Sequence, residues 1–238
     1  MELRPLGIGH GLLLGGVIAS PAFAPDLLAM GTQALFLVGG FQLRLADRRL
    51  TVRAGAAGWI SHIRMAPQRI APWAALGVTA LIANRPELAA AACAAALLCE
   101  LLIYPWAAPR IGLRKRGSIG ALMALLLAAA AITGPSVAGL PLAFMAGVTT
   151  CVFWMRGPDG EVAAILYPMT TGIVAGVGGW LLPPLAPATA LILVTSATLT
   201  LAHLATMRRR PALWRPGGAI TFTPRRPRPL RGRTSALR

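Results

Sequence analysis

Long apolar runs separated by short polar gaps organise the first 206 residues. Crossing the hydrocarbon core of a bilayer as a helix takes about 20 predominantly apolar residues, with a range of roughly 17–25. Runs near that length fall at about 6–24, 27–43, 70–84, 88–106, 118–134, 137–155, 162–182 and 186–206. The pattern predicts an all-α fold, a polytopic transmembrane bundle of about eight spans over residues 1–206. The second and third runs are short. Arginine side chains that snorkel from the ends would extend them, unless one is partly re-entrant.

The polar gaps alternate in charge. The N-terminal end carries Arg4. The gap after the second run carries Arg44, Arg48, Arg49, Arg53, Arg64 and Arg69, and the gap after the fourth carries Arg110, Arg114, Lys115 and Arg116. The gap after the sixth holds Arg156 beside Asp159 and Glu161, and ten arginines follow Met207. The intervening gaps hold one basic residue, Arg85, with Asp26 and Glu87. Basic residues are retained on the cytoplasmic side of membrane proteins. Both termini are therefore expected in the cytoplasm. Trp73, Trp106, Trp154 and Trp180 lie near span ends, where amphipathic indoles favour the interface; Trp59 and Trp214 lie in basic flanks.

Composition agrees. The chain is 56% hydrophobic and only 13% charged. A soluble domain carries roughly 25% charged residues. The net charge of +16 sits in gaps and tail, which fits the membrane rule better than a nucleic-acid surface. Lys115 is the only lysine and lies in a gap, so no apolar segment offers a retinal-type Schiff base. Cys93, Cys99 and Cys151 are odd in number without zinc-like spacing and read as small hydrophobes. The first run has a signal-like ending, Ala22-Phe23-Ala24, but Pro25 disfavours cleavage, and the arginine count favours a retained span.

Residues 207–238 read as a basic, Pro/Arg-rich cytoplasmic tail without a core, expected to be disordered and to meet anionic lipid headgroups, as are the basic loops. In the long second gap, Trp59, Ile60 and Ile63 would share one face of a short surface helix, against an irregular basic loop as the other reading. Pro21 to Pro25 and Pro183 to Pro187 join the first and last pairs of runs in similar fashion, a hint of parallel duplication.

Few residues offer chemistry. Glu100 lies well inside the fourth run. A carboxylate there costs roughly 2.5–3.5 kcal/mol on insertion scales, so it must be protonated or paired inside the bundle. His10 in the first run is a candidate partner across the bundle. Gln33 and Gln42 add polarity to the second, and His203 lies near the inner end of the last. Gly7, Gly11 and Gly15 form a flat stripe in the first run and Gly172 and Gly176 in the seventh, suited to close packing against helices of this chain or of a membrane partner. Asp47, His62, Asp159 and Glu161 would face the cytoplasm. No phosphate-binding loop, HExxH, GxSxG or CxxC is present. No cofactor or metal is expected.

Three functions remain. A small-molecule or ion transporter or permease in the bacterial inner membrane would use a midplane substrate-binding site, with Glu100, His10, Gln33 and Tyr167 lining it. A membrane-embedded enzyme acting on a lipid or isoprenoid would use Asp47, His62 and Asp159 at the inner interface, with arginines holding phosphate. An assembly subunit would dock partners through its glycine stripes and basic tail. Transport is the first expectation, and whether the chain is an enzyme is left open.

Overall fold

The computed structural model describes residues 4–47, 60, 66–157 and 162–207. The tail beyond Met207, most of the second gap (Trp59, His62 and Ile63 included), and Asp159 and Glu161 lie outside the described residues. The described chain is all-helical. Its helices are α1 (Arg4–Ala19), α2 (Asp26–Asp47), α3 (Ala66–Ile82), α4 (Pro86–Ile111), α5 (Arg116–Thr133), α6 (Gly139–Met155), α7 (Ala163–Leu181) and α8 (Ala186–Met207). Five of them, α2, α4, α5, α7 and the Pro183–Thr206 stretch containing α8, are long and apolar enough to cross a membrane, as in an integral membrane protein. The apolar stretches Leu6–Ala22, Arg69–Ile82 and Gly139–Met155 are shorter.

Each helix coincides with one expected run, with one notable difference. The second run was read as short, but α2 has 22 residues, because Arg44 and Asp47 continue the helix instead of opening a loop. The two proline-flanked links both fold as single 3₁₀ turns, Ser20–Ala22 and Pro183–Leu185, in which proline supplies a preset backbone angle and needs no donor.

Cross-helix bonds sort the helix ends into two groups. Gln33, early in α2, donates to the carbonyls of Ala130 (2.5 Å) and Gly134 (3.2 Å), which close α5. Both carbonyls also accept backbone N–H groups, from Gly134 and Ser136, so the Gln33 amide adds a second donor to each and ties α2 to the end of α5. Asp26 and Arg85, 3.8 Å apart, mark the same end. At the opposite end, Arg156 after α6 donates to the carbonyls of Gly112 and Arg114 in the α4–α5 turn, and Tyr104 reaches Asp47. The end of α2, the α4–α5 turn and the end of α6 thus lie at one end of the described bundle.

The centre is the pair α2 and α6. Leu35, Phe36, Leu37 and Phe41 of α2 and Leu140, Ala143, Ala146 and Val148 of α6 are wholly buried. Helices that are apolar all round belong in such a core. Two glycines set their separation. A Cβ at Gly40 would run into the Phe144 backbone, and one at Gly147 into the Leu37 carbonyl. Without Cβ atoms the backbones come together, and dispersion is gained along the whole contact. Trp73 of α3 seats on this pair, its ring 4.3 Å from Phe36 and against Gly39. The helix α7 packs chiefly on α8, with Gly172 against Ser196, and leaves most of its apolar surface outward.

The expected stripe behaves differently. Gly7, Gly11 and Gly15 face open space and pack against nothing among the described residues; Gly176 is likewise open. Cys99 and Cys151 are buried small hydrophobes, while Cys93 is exposed. Two turns need special backbone: Asn84 closes α3 at φ 57°, a left-handed angle that asparagine tolerates, and Gly134 ends α5 at φ 62°.

The packing predicts a contrast among glycines. Gly147→Val or Gly40→Val should destabilise the purified protein by about 3 kcal/mol or more, through overpacking against rigid backbone. Gly11→Val, in open space, should change stability by less than about 0.5 kcal/mol. Unfolding in mild detergent, followed by circular dichroism, compares the three.

Candidate functional site

The sequence marks Glu100 as the polar residue hardest to place in an apolar helix. Its surroundings follow from Pro105. Proline has no N–H, and its ring collides with the carbonyl four residues back, that of Leu101. The helix answers by widening: residues Cys99–Ile103 form a π-turn, and the N–H of Tyr104 reaches the Cys99 carbonyl five residues back. Such π-turns mark functional sites more often than ordinary helix does. Here the turn carries Glu100 on its inner face.

Glu100 is buried, its side chain only 4% exposed. Arg69, near the start of α3, donates from Nε to Glu100 Oε2 at 2.9 Å. A charged donor to a carboxylate at this distance is a strong hydrogen bond as well as an ion pair. Burial of the carboxylate strengthens the attraction and makes its own desolvation costly, while the Arg69 side chain stays half-buried.

One turn further along α4, the Tyr104 hydroxyl donates to Asp47 Oδ2 at 2.5 Å. Both residues are buried, and Tyr104 sets its ring edge-on to Phe144 of α6. Arg44 of α2 lies beside the Tyr104 hydroxyl, and its chain runs toward Gly112 at the end of α4. The Arg44 Nε is buried without a hydrogen-bond partner among the described residues. Asp47 is close enough to Glu100 for their charges to interact. Two carboxylates, two guanidiniums and a phenol therefore meet where α2, α3 and α4 converge, toward the basic end of the bundle.

The other expected site residues lie elsewhere. His10 does not bond to Glu100; its Nδ1 donates to Gln42 Oε1 at 2.6 Å, while Gln42 Nε2 donates to the Leu6 carbonyl at 3.3 Å. This arrangement ties α1 to α2. Gln33 ties α2 to α5 as described above. Tyr167 stands on the outer face of α7, 74% exposed, away from Glu100's polar neighbours. His203 packs edge-on to Trp154. Of the four residues expected to share a site, only Glu100 belongs to the polar cluster. Among the described residues no three His, Cys, Asp or Glu side chains are placed to hold a metal ion.

Sequence reading missed Arg69, Asp47 and Tyr104 as members. Arg69 was counted with the flanking charges, Asp47 was assigned to the alternative enzyme site at the cytoplasmic face, and Tyr104 was not singled out. Pro105, five residues past Glu100, was the available signal: it disturbs the helix at the acid itself. None of the protein families, characterised proteins or solved structures compared with this chain matches it.

The Tyr104–Asp47 bond links α4 to the central pair. Tyr104→Phe keeps the ring but removes the donor, leaving a buried carboxylate short of one bond. The expected loss of stability is about 1–3 kcal/mol. Tyr167→Phe, on an exposed hydroxyl, should be neutral; thermal unfolding of the two variants side by side makes the comparison.

Proposed function

We propose that this chain is a small-molecule or ion transporter or permease of the cell membrane, with Glu100 and Arg69 at its polar site. One observation carries the reading: a buried carboxylate at a π-turn inside an apolar helix is paired with a half-buried arginine of the neighbouring helix. Charged side chains within membrane segments are costly, and by default they mark ion or substrate pathways. Asp47, Tyr104 and Arg44 extend the site toward the basic end. On this reading the site lies nearer the membrane's inner side than the midplane.

The reading includes eight crossings, with both termini in the cytoplasm. It is supported by the basic gaps, which cross-helix bonds gather at one end, and by the apolar surface that α5 and α7 turn outward. Three crossings use helices shorter than the usual span. Tilt of neighbouring helices, local thinning and snorkelling arginines accommodate such mismatch at modest cost.

The glutamine variant of Glu100 keeps an acceptor for Arg69 and nearly the same volume, but removes the charge. Proteoliposomes of the full chain are to be challenged in turn with sodium, potassium, chloride, and labelled alanine, glucose and succinate. The wild type should carry at least one of these faster than protein-free vesicles. Glu100→Gln should slow that flux about tenfold or more, equivalent to about 1.4 kcal/mol on the barrier. Equal flux in the two proteins, at equal incorporation, removes Glu100 from the pathway.

A further inference from the structure

At the basic end, the turn between α4 and α5 concentrates charge in a way the polar site does not use. Arg110, Arg114, Lys115 and Arg116 lie within seven residues, and Arg156 joins them from the end of α6. All five are exposed. Three of them are held by the fold. Arg110 stacks on Trp106, 4.0 Å from the ring centre, and donates to the Trp106 carbonyl at 2.6 Å. Arg116 lies over the Phe153 ring at 4.9 Å. Arg156 spans the turn through its bonds to the Gly112 and Arg114 carbonyls. The remaining two, Arg114 and Lys115, extend outward with no hydrogen bond from their side chains and no ion pair among the described residues.

We infer that this turn, with Arg156, is a binding site for the phosphate headgroup of an acidic phospholipid. Charge alone would suit any polyanion. The apolar neighbours decide the class. Trp106 is 64% exposed and Leu113 87% exposed beside the cations, and exposed Leu102 and Leu125 continue the apolar surface along α4 and α5. Indole and leucine set next to cations, on the rim of a lipid-facing surface, match the boundary between headgroups and acyl chains. A soluble nucleic acid or acidic protein would leave that apolar rim unused. The bonds of Arg156 hold the turn in one shape, so the headgroup meets a site formed in advance and loses little on ordering it. Arg114 and Lys115 supply donors to the phosphate oxygens, one as a planar fork and one as a point charge.

Full-length protein reconstituted in phosphatidylcholine, with a trace of spin-labelled phosphatidylglycerol or spin-labelled phosphatidylcholine, gives a direct reading. The ratio of motionally restricted label measures preference for the acidic lipid. The wild type should prefer it by about fivefold or more, the effect of at least one basic residue at a membrane surface. Arg114→Gln with Lys115→Gln should bring the ratio near one. Among the described residues neither side chain makes a hydrogen bond or ion pair, so the substitutions should leave assembly intact. Arg225→Gln with Arg226→Gln removes equal charge from the tail and should lower the ratio by clearly less than the turn variant does. The inference fails if the wild type shows no preference, if the tail variant loses as much as the turn variant, or if inorganic phosphate displaces the lipid label.

Discussion

A polar side chain enclosed by apolar helices has to find its partner within the protein, because neither lipid nor a dry core supplies one. That constraint accounts for the internal wiring of this chain. Gln33 closes the end of α5, Gln42 holds His10 and the Leu6 carbonyl, Tyr104 serves Asp47, and Arg69 serves Glu100. Each bond joins two helices, so satisfying the polar groups also sets how the helices stand. The apolar contact of α2 with α6 supplies closeness; the polar bonds supply register.

The wiring is uneven along the bundle. At the end holding Asp26 and Gly134, the interior bond is a neutral amide to backbone. Toward the other end, charge enters the interior. A neutral amide bond between helices in a membrane averages only about 0.6 kcal/mol. A buried ion pair is a poor way to gain stability, since apolar residues of similar size often do as well or better. Keeping Arg69 and Glu100 together where α4 is already widened by Pro105 therefore argues for use rather than for strength. The adjacent Arg44, with its buried Nε, adds a second cation to the same place.

Much of the fold was legible in the sequence because lipid imposes a coarse rule on composition. Run lengths alone located the eight long helices among the described residues, and the basic gaps after the fourth and sixth runs were the ones whose described ends meet. The places where reading failed have specific causes. The α2 boundary was set too early because Arg44 and Asp47 look like loop charges unless their partners on α4 are known. Gly40 and Gly147 carry no periodic mark inside uniformly apolar helices, yet they set the central contact. Gly7, Gly11 and Gly15 carry the mark and meet nothing among the described residues. Pairing is a property of two helices at once, and one sequence shows the pattern of each helix singly. The membership of the polar cluster was hidden for the same reason, apart from Glu100 itself.

The account stands most directly on the proposal that α5 crosses the membrane with the basic turn inside, since the ends of all the helices are referred to that turn. Single cysteines at Ser118 and Val137, in a chain with Cys93, Cys99 and Cys151 replaced by serine or alanine, bracket this helix. An impermeant maleimide applied to intact cells should label the cysteine at position 137 and spare that at 118 until the membrane is permeabilised. Labelling of both positions, or of 118 alone, in intact cells would contradict the orientation and the site placed upon it.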